Sequence, residues 1–119
     1  MDYVKLGRSG LKVSRLCLGT AFRGYWDGHT DAETARETIY RAVEGGINFI
    51  DCANYYFQGR CEELLGTALR DMGNRDDLVI TTKVWSRIGE GVNDRGLSRF
   101  HIMREVERSL KRMQLDYID

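Results

Sequence analysis

An aspartate, a tyrosine pair and a lysine stand where short apolar runs end. Ile47-Asn48-Phe49-Ile50 leads into Asp51, and Tyr55-Tyr56 follows after a small polar step. Leu78-Val79-Ile80-Thr81-Thr82 leads into Lys83. In α/β proteins, residues at strand ends line the site. If the two strands are neighbours, Asp51, Tyr56 and Lys83 can form an acid–base set. A free phenol, with a pKa of about 10, is a poor proton donor at neutral pH. A nearby ammonium stabilises the phenolate, and a carboxylate keeps a buried lysine protonated. Such a tyrosine suits an oxygen that is gaining negative charge, as a carbonyl does when it accepts a hydride. The hydride would come from a cofactor, because no side chain supplies one. The plainer reading of an aspartate at a strand end is a loop or cap residue.

The elements that must position these residues follow from periodicity. Residues 3–6 and 11–13 alternate around Gly7-Arg8-Ser9-Gly10 and predict a β-hairpin. Residues 15–18 predict a first buried strand, with Cys17 in the core and Gly19-Thr20 stopping it. Thr30 and Glu33 suggest a capping box, and Ala35, Ile39, Ala42 and Val43 share a helical face closed by Gly45-Gly46. Residues 47–50 form the second strand. Glu62 and Glu63 open a second helix, whose apolar face is Leu64, Leu65, Ala68, Leu69 and Met72. Residues 78–82 form the third strand, and residues 87–96 a polar, glycine-rich loop. Ser98 caps a third helix with Ile102, Val106, Leu110 and Met113 on one face. Phe22, Tyr25, Trp26 and Trp85 are either pocket walls or packing residues.

The alternation of strand and helix predicts parallel strands joined by helical crossovers, with helices covering one side of the sheet. Tyr117-Ile118-Asp119 looks like a fourth strand just begun. Three and a half β/α units are just under half of an eight-unit barrel, which takes about 250 residues. The expected class is therefore α/β, with residues 1–119 forming a hairpin, three β/α units and the start of strand four.

Composition narrows the partners. Lys plus Arg and Asp plus Glu each number 18 among 119 residues, and no basic stripe stands out. This argues against nucleic acid as a partner. No apolar run is long enough to span a membrane, and residues 1–5 lack the pattern of a signal peptide. Cys17, Cys52 and Cys61 lack metal-site spacing and read as free thiols of a cytoplasmic protein, with no metal expected. Gly7-Arg8-Ser9-Gly10 precedes no helix, so it is not a phosphate loop.

Taken together, the motifs resemble the N-terminal part of an aldo-keto reductase. They are Leu6-Gly7-Arg8-Ser9-Gly10-Leu11-Lys12-Val13-Ser14, Leu18-Gly19-Thr20, Gly45-Gly46-Ile47-Asn48-Phe49-Ile50-Asp51, Ala53-Asn54-Tyr55-Tyr56, Glu62-Glu63-Leu64-Leu65-Gly66, Thr81-Thr82-Lys83, Gly96-Leu97-Ser98-Arg99 and Leu115-Asp116-Tyr117-Ile118-Asp119. The Gly-Leu-Ser-Arg loop is similar to that of the branch holding bacterial aldo-keto reductases and potassium-channel β subunits. The resemblance implies a (β/α)8 TIM barrel closed at its bottom by the hairpin. It implies NADPH as cofactor and a small aldehyde or ketone as substrate. Asp51, Tyr56 and Lys83 match three of the family's four catalytic positions, with Tyr56, five residues beyond Asp51, as the general acid. Gly19, Thr20 and Asp51 match positions beside the nicotinamide. The fourth catalytic position, a histidine at the end of strand four, falls beyond Asp119; neither His29 nor His101 stands in its place. The 119 residues alone are expected to lack normal turnover. The other reading is a slow regulatory subunit similar to channel β subunits. Phe57 departs from the family's usual glycine, Cys61 from a small polar cap and Cys52 from a threonine.

Overall fold

The computed structural model describes residues 1–22 and 31–119. Tyr3–Lys5 (β1) and Lys12–Ser14 (β2) form the expected hairpin, with Tyr3 opposite Ser14 and Lys5 opposite Lys12. Asn48 fastens it to the rest. Ser14 N donates to Asn48 Oδ1 at 2.7 Å, and Asn48 Nδ2 donates to Lys12 O at 3.1 Å. The Tyr3 hydroxyl donates to Gly46 O at 2.8 Å. These anchors precede the second sheet strand, so the hairpin lies at the end of the sheet opposite Asp51.

Leu18–Gly19 (β3), Phe49–Asp51 (β4) and Val79–Thr81 (β5) form a parallel sheet in the order β3-β4-β5. Gly19 lies opposite Asp51, and Asp51 opposite Thr81. The strand that ends at Asp51 and the strand that leads to Lys83 are thus neighbours. The first strand is shorter than its sequence predicts, and Cys17 is exposed rather than in the core. Among the described residues β3 has β4 on one side only, so little of it is held in a ladder. Asp119 N donates to Ile80 O at 3.1 Å, which sets the last residues beside β5 without a full strand forming.

Three helices cross over: Ala32–Glu44 (α1), Arg60–Met72 (α2) and Arg99–Met113 (α3). Thr30 lies outside the described residues, as do Tyr25, Trp26 and His29. The observed cap of α1 is Asp31, whose Oδ1 accepts from Thr34 N at 2.7 Å. α2 begins after Gly59 with no side-chain cap; Cys61 is a buried residue of its first turn. Ser98 caps α3 as expected, accepting from His101 N at 3.1 Å.

The core lies between the helices and one face of the sheet. It holds Ala35 and Ile39 of α1, Leu64, Leu65, Ala68 and Leu69 of α2, Ile50 and Ile80 of the sheet, and Met113 of α3. Strand side chains alternate between faces. Ile50 and Ile80 therefore point to the helices, while Asp51 and Thr81 point to the other face, the one Lys83 also takes two residues after Thr81. Phe22 is partly buried and packs against the core. α3 departs from expectation. Its buried stripe is His101, Glu105, Ser109 and Met113, whereas Ile102 is exposed. The helix is rotated toward polar partners for its carboxylate, which burial would otherwise penalise.

Candidate active site

Asp51 closes β4 and Lys83 follows β5 by two residues, so register alone brings them together. Lys83 Nζ donates to Asp51 Oδ1 at 2.6 Å and to the carbonyl oxygen of Cys52 at 2.6 Å. Thr81 Oγ1 donates to the same Asp51 oxygen at 3.1 Å. The ammonium also lies 5.1 Å from the centroid of the Tyr56 ring. Three sequence-predicted residues, Asp51, Tyr56 and Lys83, are thus gathered at the C-terminal ends of β4 and β5.

The electrostatics of Lys83 result from opposing effects. Desolvation is the largest single one and lowers its pKa. Asp51, by hydrogen bond and charge, and then Tyr56 together outweigh it, so the pKa stands above the ordinary lysine value. The group is an ammonium at neutral pH. Because its side chain is 49% exposed, solvent screens the ion pair with Asp51.

Tyr56 opens a short 3-10 turn, Tyr56–Gly59, that runs into α2. Phe57 (φ 47°) and Gln58 (φ 53°) both take left-handed conformations, and Gly59 follows at φ 90°. A left-handed non-glycine residue costs about 1–2 kcal/mol. The replacement of the family's usual glycine by Phe57 therefore carries a conformational penalty, offset in part by packing of the ring against the core.

The two other residues expected near a cofactor differ in surroundings. Thr20 is buried, and its backbone N and its Oγ1 each donate to Asp51 O at 3.0 Å. Its side chain therefore holds Asp51 in place. Gly19 is exposed, and among the described residues no heavy atom lies within 4 Å of where a Cβ would stand. Sequence reasoning missed Thr81 and the Cys52 carbonyl as partners of the set. Thr81 could have been found from strand parity, since it shares a face with Lys83. The carbonyl leaves no trace in residue type.

Burial pushes the Cys52 thiol up to about 12 and the Cys61 thiol up to about 11. Among the described residues no group of His, Cys, Asp and Glu could hold a metal ion. None of their helices is long and apolar enough to cross a membrane. A cavity of about 540 Å³ bounded by Arg70, Arg75 and Tyr117 lies near the start of β5, away from Asp51 and Lys83. Trp85 is 67% exposed and lines a separate cleft with Arg87 and Arg95.

The chain thus folds as a parallel α/β sheet that carries an acid, a phenol and an ammonium at or just beyond its strand ends. The profile of the aldo/keto reductase family matches residues 15–119, and the chain belongs to that family. It is 43% identical over its whole length to a probable voltage-gated potassium channel subunit beta of Oryza sativa subsp. japonica, covering 36% of that protein. It is 41% identical to the aldo-keto reductase YhdN of Bacillus subtilis (strain 168), again over all of this chain and 36% of the relative. The fold matches an aldo-keto reductase from Bacillus halodurans in its holo form. The TM-score is 0.86 at 38% identity, with 100% of this chain and 38% of that one covered. The chain thus spans little more than a third of the length of these relatives.

Proposed function

We propose that the chain is the N-terminal part of an NADPH-dependent reductase that converts aldehydes or ketones to alcohols, and that Asp51, Tyr56 and Lys83 are its acid–base set. The observation that carries this is the Lys83 ammonium held 2.6 Å from Asp51 and 5.1 Å from the centroid of the Tyr56 ring. Tyr56 would donate its hydroxyl proton to the carbonyl oxygen as that oxygen gains charge. Lys83 would stabilise the phenolate left behind, because its charge is fixed by Asp51 and its position by the Cys52 carbonyl. Thr81 would keep the Asp51 carboxylate from turning away, and Thr20 would hold the Asp51 backbone. NADPH, when bound, would supply the hydride. The open backbone at Gly19, directly opposite Asp51, fits a ring seated beside the ammonium. Gly19, Thr20 and Asp51 are the residues here that would hold that end of the cofactor.

A second reading has support of its own: a relative 43% identical is a probable channel β subunit. In that case the barrel would serve as a slow regulatory subunit. The test is NADPH oxidation by the full-length protein across a panel of aldehydes and ketones, alongside capture of a channel partner. Carbonyl-dependent oxidation at about 1 per second or faster, without a partner, is expected of the reductase. Negligible turnover with stable partner binding would reverse the assignment.

A further inference from the structure

We propose that Glu62, Arg112 and Glu105 form a buried positioning unit that fixes the Tyr56 loop against the strand end carrying Lys83. The proposal rests on the acid–base reading above. Both carboxylates are buried, Glu62 at 0% and Glu105 at 1% exposure, and Arg112 lies between them. Arg112 Nε is 2.5 Å from Glu62 Oε2, and its outer nitrogen is 3.7 Å from Glu105 Oε2. Each carboxylate also grips one of the two segments. Glu62 Oε1 accepts from Thr82 Oγ1 at 2.6 Å, and Thr82 directly precedes Lys83. Glu105 Oε2 accepts from Asn54 Nδ2 at 3.0 Å, and Asn54 stands two residues before Tyr56. Asn54 N in turn donates to Lys83 O at 3.1 Å, closing the circuit. A third hold comes from Gly59 at the end of the Tyr56 turn, where a Cβ would stand 2.6 Å from Arg112 Cδ.

Stability alone does not account for this arrangement. A buried ion triad is commonly no more stable than apolar residues of the same volume. Here Glu105 occupies the buried stripe of α3, while apolar Ile102 is exposed. What the triad supplies is directional hydrogen bonds to two loops that must keep a fixed separation. Neither carboxylate contacts the side chain of Asp51, Tyr56 or Lys83 by any hydrogen bond in the structure, so the three act as positioning residues.

The test reads Lys83 directly. Its titration is followed by NMR of the labelled ε-carbon in wild type, Thr82→Val, Asn54→Ala and Thr82→Ser. The ionisable groups around it are Asp51 and Tyr56, with Cys17 within electrostatic range. Thr82→Val and Asn54→Ala should each loosen the contact with Asp51 and lower the Lys83 pKa by about one pH unit. Thr82→Ser should restore it. In the full-length protein kcat should fall about 100-fold while the KM for NADPH changes little. If Thr82→Val or Asn54→Ala does not fold, Glu105→Gln, which keeps the shape but removes the charge paired with Arg108 and Arg112, takes its place with the same expectation. An unchanged Lys83 titration in folded variants, or no rescue by serine, would overturn the proposal. Tyr56→Phe judges the reaction reading separately: retained activity there would remove that reading, yet the Lys83 titration would still decide the positioning role.

Discussion

Lys83 keeps its proton although burial works against it, chiefly through Asp51 and then through Tyr56. Replacing Asp51 by Asn removes the largest upward influences and leaves Tyr56 alone against desolvation. The Lys83 pKa should then fall from its raised value, which NMR titration can follow. The raised pKa also sets where the ion pair contributes to stability. Its contribution is complete below the unfolded lysine pKa and disappears as pH rises through the higher folded value. Wild type should therefore lose this increment only above about pH 10.5, whereas Asp51→Asn should show no such alkaline step in its melting temperature. The exposed Gln58 holds a left-handed backbone at φ 53°. Gln58→Gly should raise stability by about 0.5–1 kcal/mol in urea unfolding, the relief of strain exceeding the entropy lost by glycine. At this scale the sequence announced Asp51 and Lys83 because apolar runs stop at them. The left-handed turn at Phe57 and Gln58 was hidden, since neither residue type signals it.

Among the elements, α2 and α3 depend on one close approach. A Cβ on Gly66 would stand 2.2 Å from the carbonyl oxygen of Met113, a rigid backbone atom. Gly66→Ala should cost about 3 kcal/mol or prevent α3 from docking, seen as a lower urea midpoint. Ser98→Ala removes the cap that accepts from His101 N and should cost about 1 kcal/mol. The caps at Ser98 and the order of strands and helices were readable from residue types. The orientation of α3 was not. Its apolar periodicity pointed to Ile102 and Val106, but Glu105 found Asn54 and Arg108, and the helix turned to bury that stripe. Partners so distant in sequence leave no local pattern to read.

Across the whole molecule, the parts are distributed by end. The hairpin, held by Asn48, occupies one end of the sheet, and Asp51, Tyr56 and Lys83 occupy the other. The helices take one face, which leaves the opposite face to Asp51, Thr81 and Lys83. This division was implicit in the alternation of strand and helix, and the match to an aldo-keto reductase structure at a TM-score of 0.86 agrees with it. The chain covers 36% of the length of the Bacillus subtilis aldo-keto reductase it matches. The central claim is that Tyr56 gives the proton. The measurement that tests it most directly is carbonyl-dependent NADPH oxidation by the full-length protein with Tyr56→Phe against wild type. The account predicts a loss of about 100-fold or more in kcat with cofactor affinity retained. Turnover within about twofold of wild type would contradict it.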